Sequence, residues 1–341
     1  MNKKFIAFCG VGLLFATRNS NAQTGANQLV DNSQQRRQME QSANLDTNSL
    51  AAPELYAGET GDLGPQSVLA LKPHRWHLEA FADVQYFFTD NLFLSDQSRQ
   101  KADVLVSTLQ AAIVTPSLKV MDGDLTARAG FQQQWFCFGI ANDSGENSFN
   151  FNSISGGRAS LDQFDFNAET ASADLNWTRA GWNLNAGFDY RRLVDSASYN
   201  EFYHENVPNW GLQKNIELAS WLSATAGYQG DYRFTQSQLP PPHLGSDLND
   251  RTDHSLYALL NFKISKYCLI QPGYRFQFSY YTGQKRDDYL NSLGLALYFP
   301  LSQNVSLRAF LNDNILGTDG KFVQNYYEFD AGAGFTLNIR F

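Results

Sequence analysis

The sequence predicts an all-β fold: a transmembrane antiparallel up-and-down β-barrel of about twelve strands, preceded by a polar N-terminal arm. Three observations predict it. First, the closing stretch YYEFDAGAGFTLNIRF is apolar at every odd position from Tyr327 to Phe341, while Glu328, Asp330, Asn338 and Arg340 occupy even ones. With 43% of the chain apolar, eight matches in eight arise by chance in about one window per thousand, and a period of 2 means one oily and one polar face. Second, only 18% of residues are charged, yet no stretch beyond the opening residues is apolar enough for a membrane-spanning helix. Third, the connections between alternating segments are long and short by turns, as a barrel inserted from one side requires.

Residues 1–22 carry Lys3 and Lys4, an apolar run from Phe5 to Ala16, and small residues Ser20 and Ala22. That order predicts a secretory signal peptide cut near Gln23. Cys9 follows the bulky Phe8 with too short an apolar core before it for a lipid-attachment site. Residues 23–74 are rich in Gln, Asn, Ser, Thr and Ala and cannot bury enough apolar surface to fold alone. Two readings stay open for them: a periplasmic arm or plug that enters the lumen, and a spacer. Within them PELYAGETGDLG, 53–64, is expected to be the ordered part, because Pro, Gly and Asp punctuate turns.

The barrel is expected over residues 75–341. Its first strand, about 76–88, sets Trp76, Leu78, Ala80, Ala82, Val84, Tyr86 and Phe88 against His77, Glu79, Asp83 and Gln85. Eleven further segments follow at about 103–117, 125–138, 166–179, 182–193, 207–220, 222–235, 254–265, 268–281, 288–299, 305–315 and 326–341. The second and sixth are poorly phased, which leaves about ten or about fourteen strands open. Connections after even strands are short, such as MDGD at 121–124, Ala180-Gly181 and Lys266-Tyr267; those after odd strands include 139–165, 194–206 and 236–253. Trp76, Trp177, Trp182, Trp221, Tyr267, Phe299 and Phe341 gather at the short-turn end, and Tyr86, Phe88, Trp135, Tyr190, Tyr280 and Tyr327 at the other. Two such girdles suit the headgroup zones of a bilayer.

Inverting the alternation lists the lumen. Asp189, Asp231, Arg275, Arg308 and Glu328 are the expected lining residues, among other inward groups that include Glu79, Asp83, Arg128, Asp174, Arg191, Glu217, Arg233, Lys263, Asp330 and Arg340. The signs are mixed, so no ion preference follows. Such groups either pair across the lumen or line a conducting path. Inward glycines, Gly273 and Gly294 among them, let strands coil, or leave room for a solute.

Catalysis is not expected. The loop or strand-end histidines His77, His204, His243 and His254 and the Asp90-Asn91 pair have no serine in a nucleophile context beside them. No metal or cofactor is expected; Asp247, Asp250 and Asp253 read as a hydrated loop rather than a calcium site. Cys137 and Cys268 fit outward strand positions, and a bridge between them stays open. Acids outnumber bases 34 to 26, which argues against a nucleic-acid surface.

The stretch FADVQYFFTDNLFLSD, 81–96, where an aromatic strand runs into Thr89-Asp90-Asn91, resembles the first strand and loop of the β-barrel porins found widely in the outer membranes of Gram-negative bacteria. Asn312-Asp313-Asn314 and the closing GAGFTLNIRF are similar in style. The resemblance implies a porin-like barrel in the cell outer membrane that passes small hydrophilic solutes. It implies outer-membrane lipid, periplasmic chaperones and the barrel-assembly machinery as partners. Phe335, Leu337, Ile339 and Phe341 would form the insertion signal. A closed structural or adhesion barrel, binding partners through its loops or its arm, is the alternative.

Overall fold

The computed structural model describes residues 25–40, 76–96, 99–140, 149–150, 158–159, 161–237, 248–320 and 323–341. The expected signal peptide, the 53–64 segment and His243 lie outside the described residues. Twelve long strands form one antiparallel ring: β1 (His77–Thr89), β2 (Ala102–Val114), β3 (Gly123–Phe138), β4 (Phe166–Arg179), β5 (Trp182–Asp195), β6 (Glu201–Ala219), β7 (Leu222–Ser237), β8 (Arg251–Ser265), β9 (Cys268–Tyr281), β10 (Asp287–Pro300), β11 (Val305–Thr318) and β12 (Tyr326–Arg340). Each pairs with its neighbour in sequence, and β12 returns to β1 with Val84 opposite Phe335 and Ala82 opposite Leu337. This ring is a closed β-barrel of the outer-membrane type. Closure pairs every strand edge, which is the condition for a sheet to stand in hydrocarbon.

The surfaces are inverted relative to a water-soluble protein. Leu109, Ile113, Phe131, Leu175, Phe188, Leu256, Leu260, Leu293, Leu311 and Phe335 are exposed on the outer wall, while Asp83, Gln85, Gln134, Glu205, Gln271, Glu328 and Asp330 are buried inside. In water this arrangement would cost roughly 25 cal/mol for every Å² of apolar surface left wet. Against lipid it costs nothing. The aromatic residues Trp76, Trp182, Trp221, Tyr267 and Phe341 stand exposed at the short-turn end as expected, and Tyr86, Phe88, Tyr190 and Tyr280 at the other.

The short-turn end is built from tight hairpins. Met121-Asp122 and Ala180-Gly181 both take positive φ, the backbone of a type I′ turn whose twist matches the flanking strands. The long-loop end carries the connections 90–101, 139–165 and 238–250. Loop residues Leu92 and Leu161 join the buried cluster at that mouth, against Phe136, Phe138 and Phe166.

Of the two readings open for the polar arm, the described part takes that of a plug in the lumen. Residues 25–40 form a helix, α1, about 24 Å long at ~1.5 Å per residue, and it lies inside the barrel. The segment that lacks the apolar surface to fold alone folds here because the barrel wall supplies its partners.

Candidate functional site

The candidate site is the lumen that α1 occupies, and each part of the helix is held by a different piece of wall. Ala26, Leu29 and Val30, spaced for one helix face, pack on Val104, Val106, Phe136, Ala168 and Leu193. Opposite them, Asp31 meets three guanidiniums: Arg191 at 2.9 Å, Arg233 at 3.0 Å and Arg251 at 3.9 Å. Gln34 accepts a further bond from Arg191 at 2.7 Å. These arginines lie at the long-loop ends of β5, β7 and β8, so the N-terminal half of α1 points toward that mouth.

The middle of the helix is clamped next. Arg36 lies over the adjoining rings of Phe87 and Phe310, 4.6 and 4.7 Å from their centroids, while its Nε donates to Gln85 Oε1 at 3.1 Å and its Nη1 pairs with Asp330 at 3.5 Å. Such stacked, desolvated guanidiniums combine cation–π attraction with directional bonds. Arg37 donates to Gln110 and Gln132. At the last turn, Glu40 accepts from Ser306 Oγ at 2.7 Å and pairs with Arg308, whose Nη2 also reaches Asp83 at 2.8 Å. Ser306 is the second residue of β11, beside the short-turn end. The helix therefore runs from the long-loop mouth toward the short-turn mouth.

A cavity of about 380 Å³ remains between α1 and the wall from β4 to β11. Asn176, Asn183, Asn185, Gln213 and Arg275 line it, together with Gly273 and Gly294. A Cβ on either of these two glycines would lie within 3.4 Å of Met39 Cε. The room these glycines leave is taken on one side by α1.

The five expected lining residues all face inward, with different fates. Arg308 is spent on Glu40 and Asp83; Asp231 pairs with Arg233 at 3.0 Å; Glu328 accepts from Asn314 at 3.0 Å. They do not border an open path. Asp189, which accepts from Asn209 at 3.2 Å, and Arg275 on the cavity wall keep partial exposure. Glu79 gathers Arg128 and Arg340 at the short-turn end. Of the mixed inward charges, most are consumed in pairs.

Several placements correct the sequence expectation. Asp253 is a strand residue of β8, bound to Arg251 and Arg233 at 3.0 Å, not a loop carboxylate, and Asp250 accepts from Thr235. His204 sits on the strand β6 and not in the expected 194–206 connection, beside Glu201, while His254 lies near the start of β8 as expected, beside Tyr228. Cys137 and Cys268 are free thiols. The central ion-pair residues Glu205, Arg251 and Asp253 were missed because β6 and β8 begin at Glu201 and Arg251, earlier than the expected 207 and 254. Alternation could not flag them: inward Tyr203 and Val207 are apolar while His204 and Asn206 on the other face are polar, the inverse of the barrel pattern. Asp31, Arg36, Arg37 and Glu40 carried no strand-like signal at all.

The Thr89-Asp90-Asn91 motif closes the ring. Phe329 N donates to Asp90 Oδ1 at 2.7 Å, and Asn91 Nδ2 donates to Tyr327 O at 2.8 Å and Ser95 O at 3.0 Å. The motif thus ties the first loop to β12 across the seam between the first and last strands.

No protein-family model matches the sequence, and no curated protein matches it. Solved structures of similar shape include the β domain of the Bordetella autotransporter BrkA, at 12% identity over 77% of this chain and 98% of that one, TM-score 0.44. The translocator domain of the autotransporter NalP from Neisseria meningitidis matches at 12% identity over 92% and 97%, TM-score 0.41. The COG4313 outer membrane channel from Pseudomonas putida F1 matches at 10% identity over 77% and 95%, TM-score 0.46. Likenesses of this size carry nothing about activity.

Proposed function

We propose that this chain is an outer-membrane barrel of a Gram-negative cell whose lumen is a gated path for small hydrophilic solutes, held shut by α1. The observation that carries the reading is the two-ended anchoring of the helix, Asp31 to Arg191 and Arg233 near one mouth and Glu40 to Arg308 near the other. Buried ion pairs of this kind specify register more than they add stability, which suits a segment that must seat in one place and can leave it. The wall on the cavity side of the helix is polar, and a polar wall is what a hydrated path needs once the helix has moved.

In this reading the short turns face the periplasm and the long loops face outward. Residues 1–22 direct export, and β12 with Phe335, Leu337, Ile339 and Phe341 presents the insertion signal to the periplasmic assembly machinery. Outer-membrane lipid covers the apolar belt.

Planar-bilayer conductance of the refolded mature protein, beside a variant lacking residues 23–74, tests the gate. Discrete steps confined to the shortened variant are expected. Large steady steps from the full chain would replace the gate with an open pore. Silence from both, with a heat-modifiable barrel on gels, would leave a closed structural barrel. The stacked Phe136 and Phe166 rings, 4.5 Å apart in the buried cluster, favour that second reading.

A further inference from the structure

One row of the lumen wall stands apart from the paired charges. Tyr257 of β8 is opposite Arg275 of β9, Arg275 is opposite Ser292 of β10, and Ser292 is opposite Asn314 of β11. All four line the 380 Å³ cavity, and all four can donate hydrogen bonds. The next row toward the short-turn end holds Gly273 opposite Gly294, so no side chain from those two positions crowds the donors.

Arg275 is the odd charge here. Its guanidinium contacts only neutral oxygens, Ser255 Oγ at 2.8 Å and Gln277 Oε1 at 3.5 Å, and it forms no ion pair among the described residues. Its Nε and the Oγ of Ser292 have no hydrogen-bond partner among the described residues. Asp231, Asp31 and Asp253 are themselves engaged by Arg191, Arg233 and Arg251. Among the described residues no Asp or Glu lines the cavity, and its other charged residue, Arg36, is taken by Asp330. The rest of the lining is rich in carboxamides, including Asn176, Asn183, Asn185 and Gln213.

We infer that this cavity binds a small hydroxylated solute bearing one carboxylate, of the hexuronate kind, with the carboxylate on Arg275 and Ser292 and the hydroxyls on the surrounding amides. A guanidinium presents a planar fork that matches a carboxylate. Amide side chains offer both donors and acceptors, which is what a ring of hydroxyls requires. A guanidinium with no ionic partner and an unbonded Nε, beside an unbonded hydroxyl, is costly to leave dry, and a carboxylate supplies the missing acceptor and countercharge. Binding does not require that the helix leave, so the inference goes beyond the gate and is separable from it.

The test is calorimetric titration of the full mature chain, refolded in detergent micelles, with galacturonate and separately with neutral galactose. Galacturonate is expected to bind about tenfold more tightly, the increment of a charge-assisted bond. Arg275→Gln should erase that preference while heat-modifiability on gels shows the barrel intact. Arg275→Lys, which keeps the charge and loses the fork, should bind galacturonate more weakly than the native chain and still prefer it to galactose. Equal affinity for acid and sugar in the native chain, no binding of either, or an undiminished preference in Arg275→Gln would each overturn the inference. If the glutamine variant fails to refold, the native comparison and the lysine variant decide alone. Because the protein is held in micelles, a negative result here leaves the conductance test of the gate untouched, and silence in the bilayer leaves this one untouched.

Discussion

Asp31 of α1 and Arg233 of β7 are 202 residues apart in the chain and 3.0 Å apart in the lumen. Neither is placed by its own neighbours. The carboxylate is drawn in by guanidiniums that the closed ring assembles from β5, β7 and β8. Asp31→Asn should therefore loosen the outer half of the helix. Breaking a buried pair costs roughly 3–5 kcal/mol, and because Glu205, Asp231 and Asp253 stay to balance the arginines, about 2–3 kcal/mol is expected. More frequent opening events in planar bilayers would register it. A trace indistinguishable from the native chain would remove Asp31 from the gate.

Glu40 and Arg308 test the other anchor asymmetrically. Arg308 serves both the helix and Asp83 of the wall, whereas Glu40 serves the helix end. Arg308→Gln should lower barrel stability by about 3 kcal/mol and also free the helix. Glu40→Gln should free the helix with little change in the barrel's own denaturant midpoint. Equal midpoints for the two variants would contradict the shared role of Arg308.

Gly294 leaves room for the Met39 side chain. Gly294→Leu fills that room from the wall and should displace the last turn of α1, since overpacking costs roughly 1–3 kcal/mol. Protease cleavage within residues 25–40 should then rise several-fold while the heat-modifiable barrel persists. Unchanged protection would mean that the helix end does not depend on this contact.

Asn91→Ala removes bonds to Tyr327 O and Ser95 O that hold the seam. A drop of about 1–3 kcal/mol is expected from the orphaned backbone groups, read as a lower temperature of conversion from folded to unfolded band on gels. An unshifted conversion temperature would show that the seam is carried by the β1–β12 ladder alone.

α1 begins, at Gly25, in the half of the barrel that faces the long-loop mouth, and β1 begins at the short-turn end. An epitope placed ahead of Gly25 should be stained by antibody on intact cells, whereas one placed just ahead of Trp76 should require permeabilised cells. The reverse pattern would invert the barrel's assigned orientation.

The outer wall was the legible part. Lipid-facing positions alternate with lumen-facing ones along each strand, and the alternation can be read a few residues at a time, as in Phe335, Leu337 and Ile339. Where the reading faltered, α1 or a bulge was the cause. β2 is poorly phased because Val104 and Val106 face inward, an apolar choice that makes sense only against Leu29 and Val30. β6 is poorly phased because its ladder with β7 shifts register at Leu222/Ser223, and because it begins at Glu201, in residues taken as loop.

The local order of residues, by itself, determined that the chain is an up-and-down barrel, which face of each strand meets lipid, and which end carries the loops. A period of 2 and a short hairpin turn are properties of neighbouring residues, so neighbours suffice to read them. That residues 25–40 are a helix, that it is seated in the lumen with a cavity beside it, and that Arg275 stands on that cavity's wall without an ionic partner among the described residues were decided by the closed ring. Each depends on groups from strands far apart in sequence, brought within about 3 Å only when β12 meets β1, because charges and amides choose partners by distance in space.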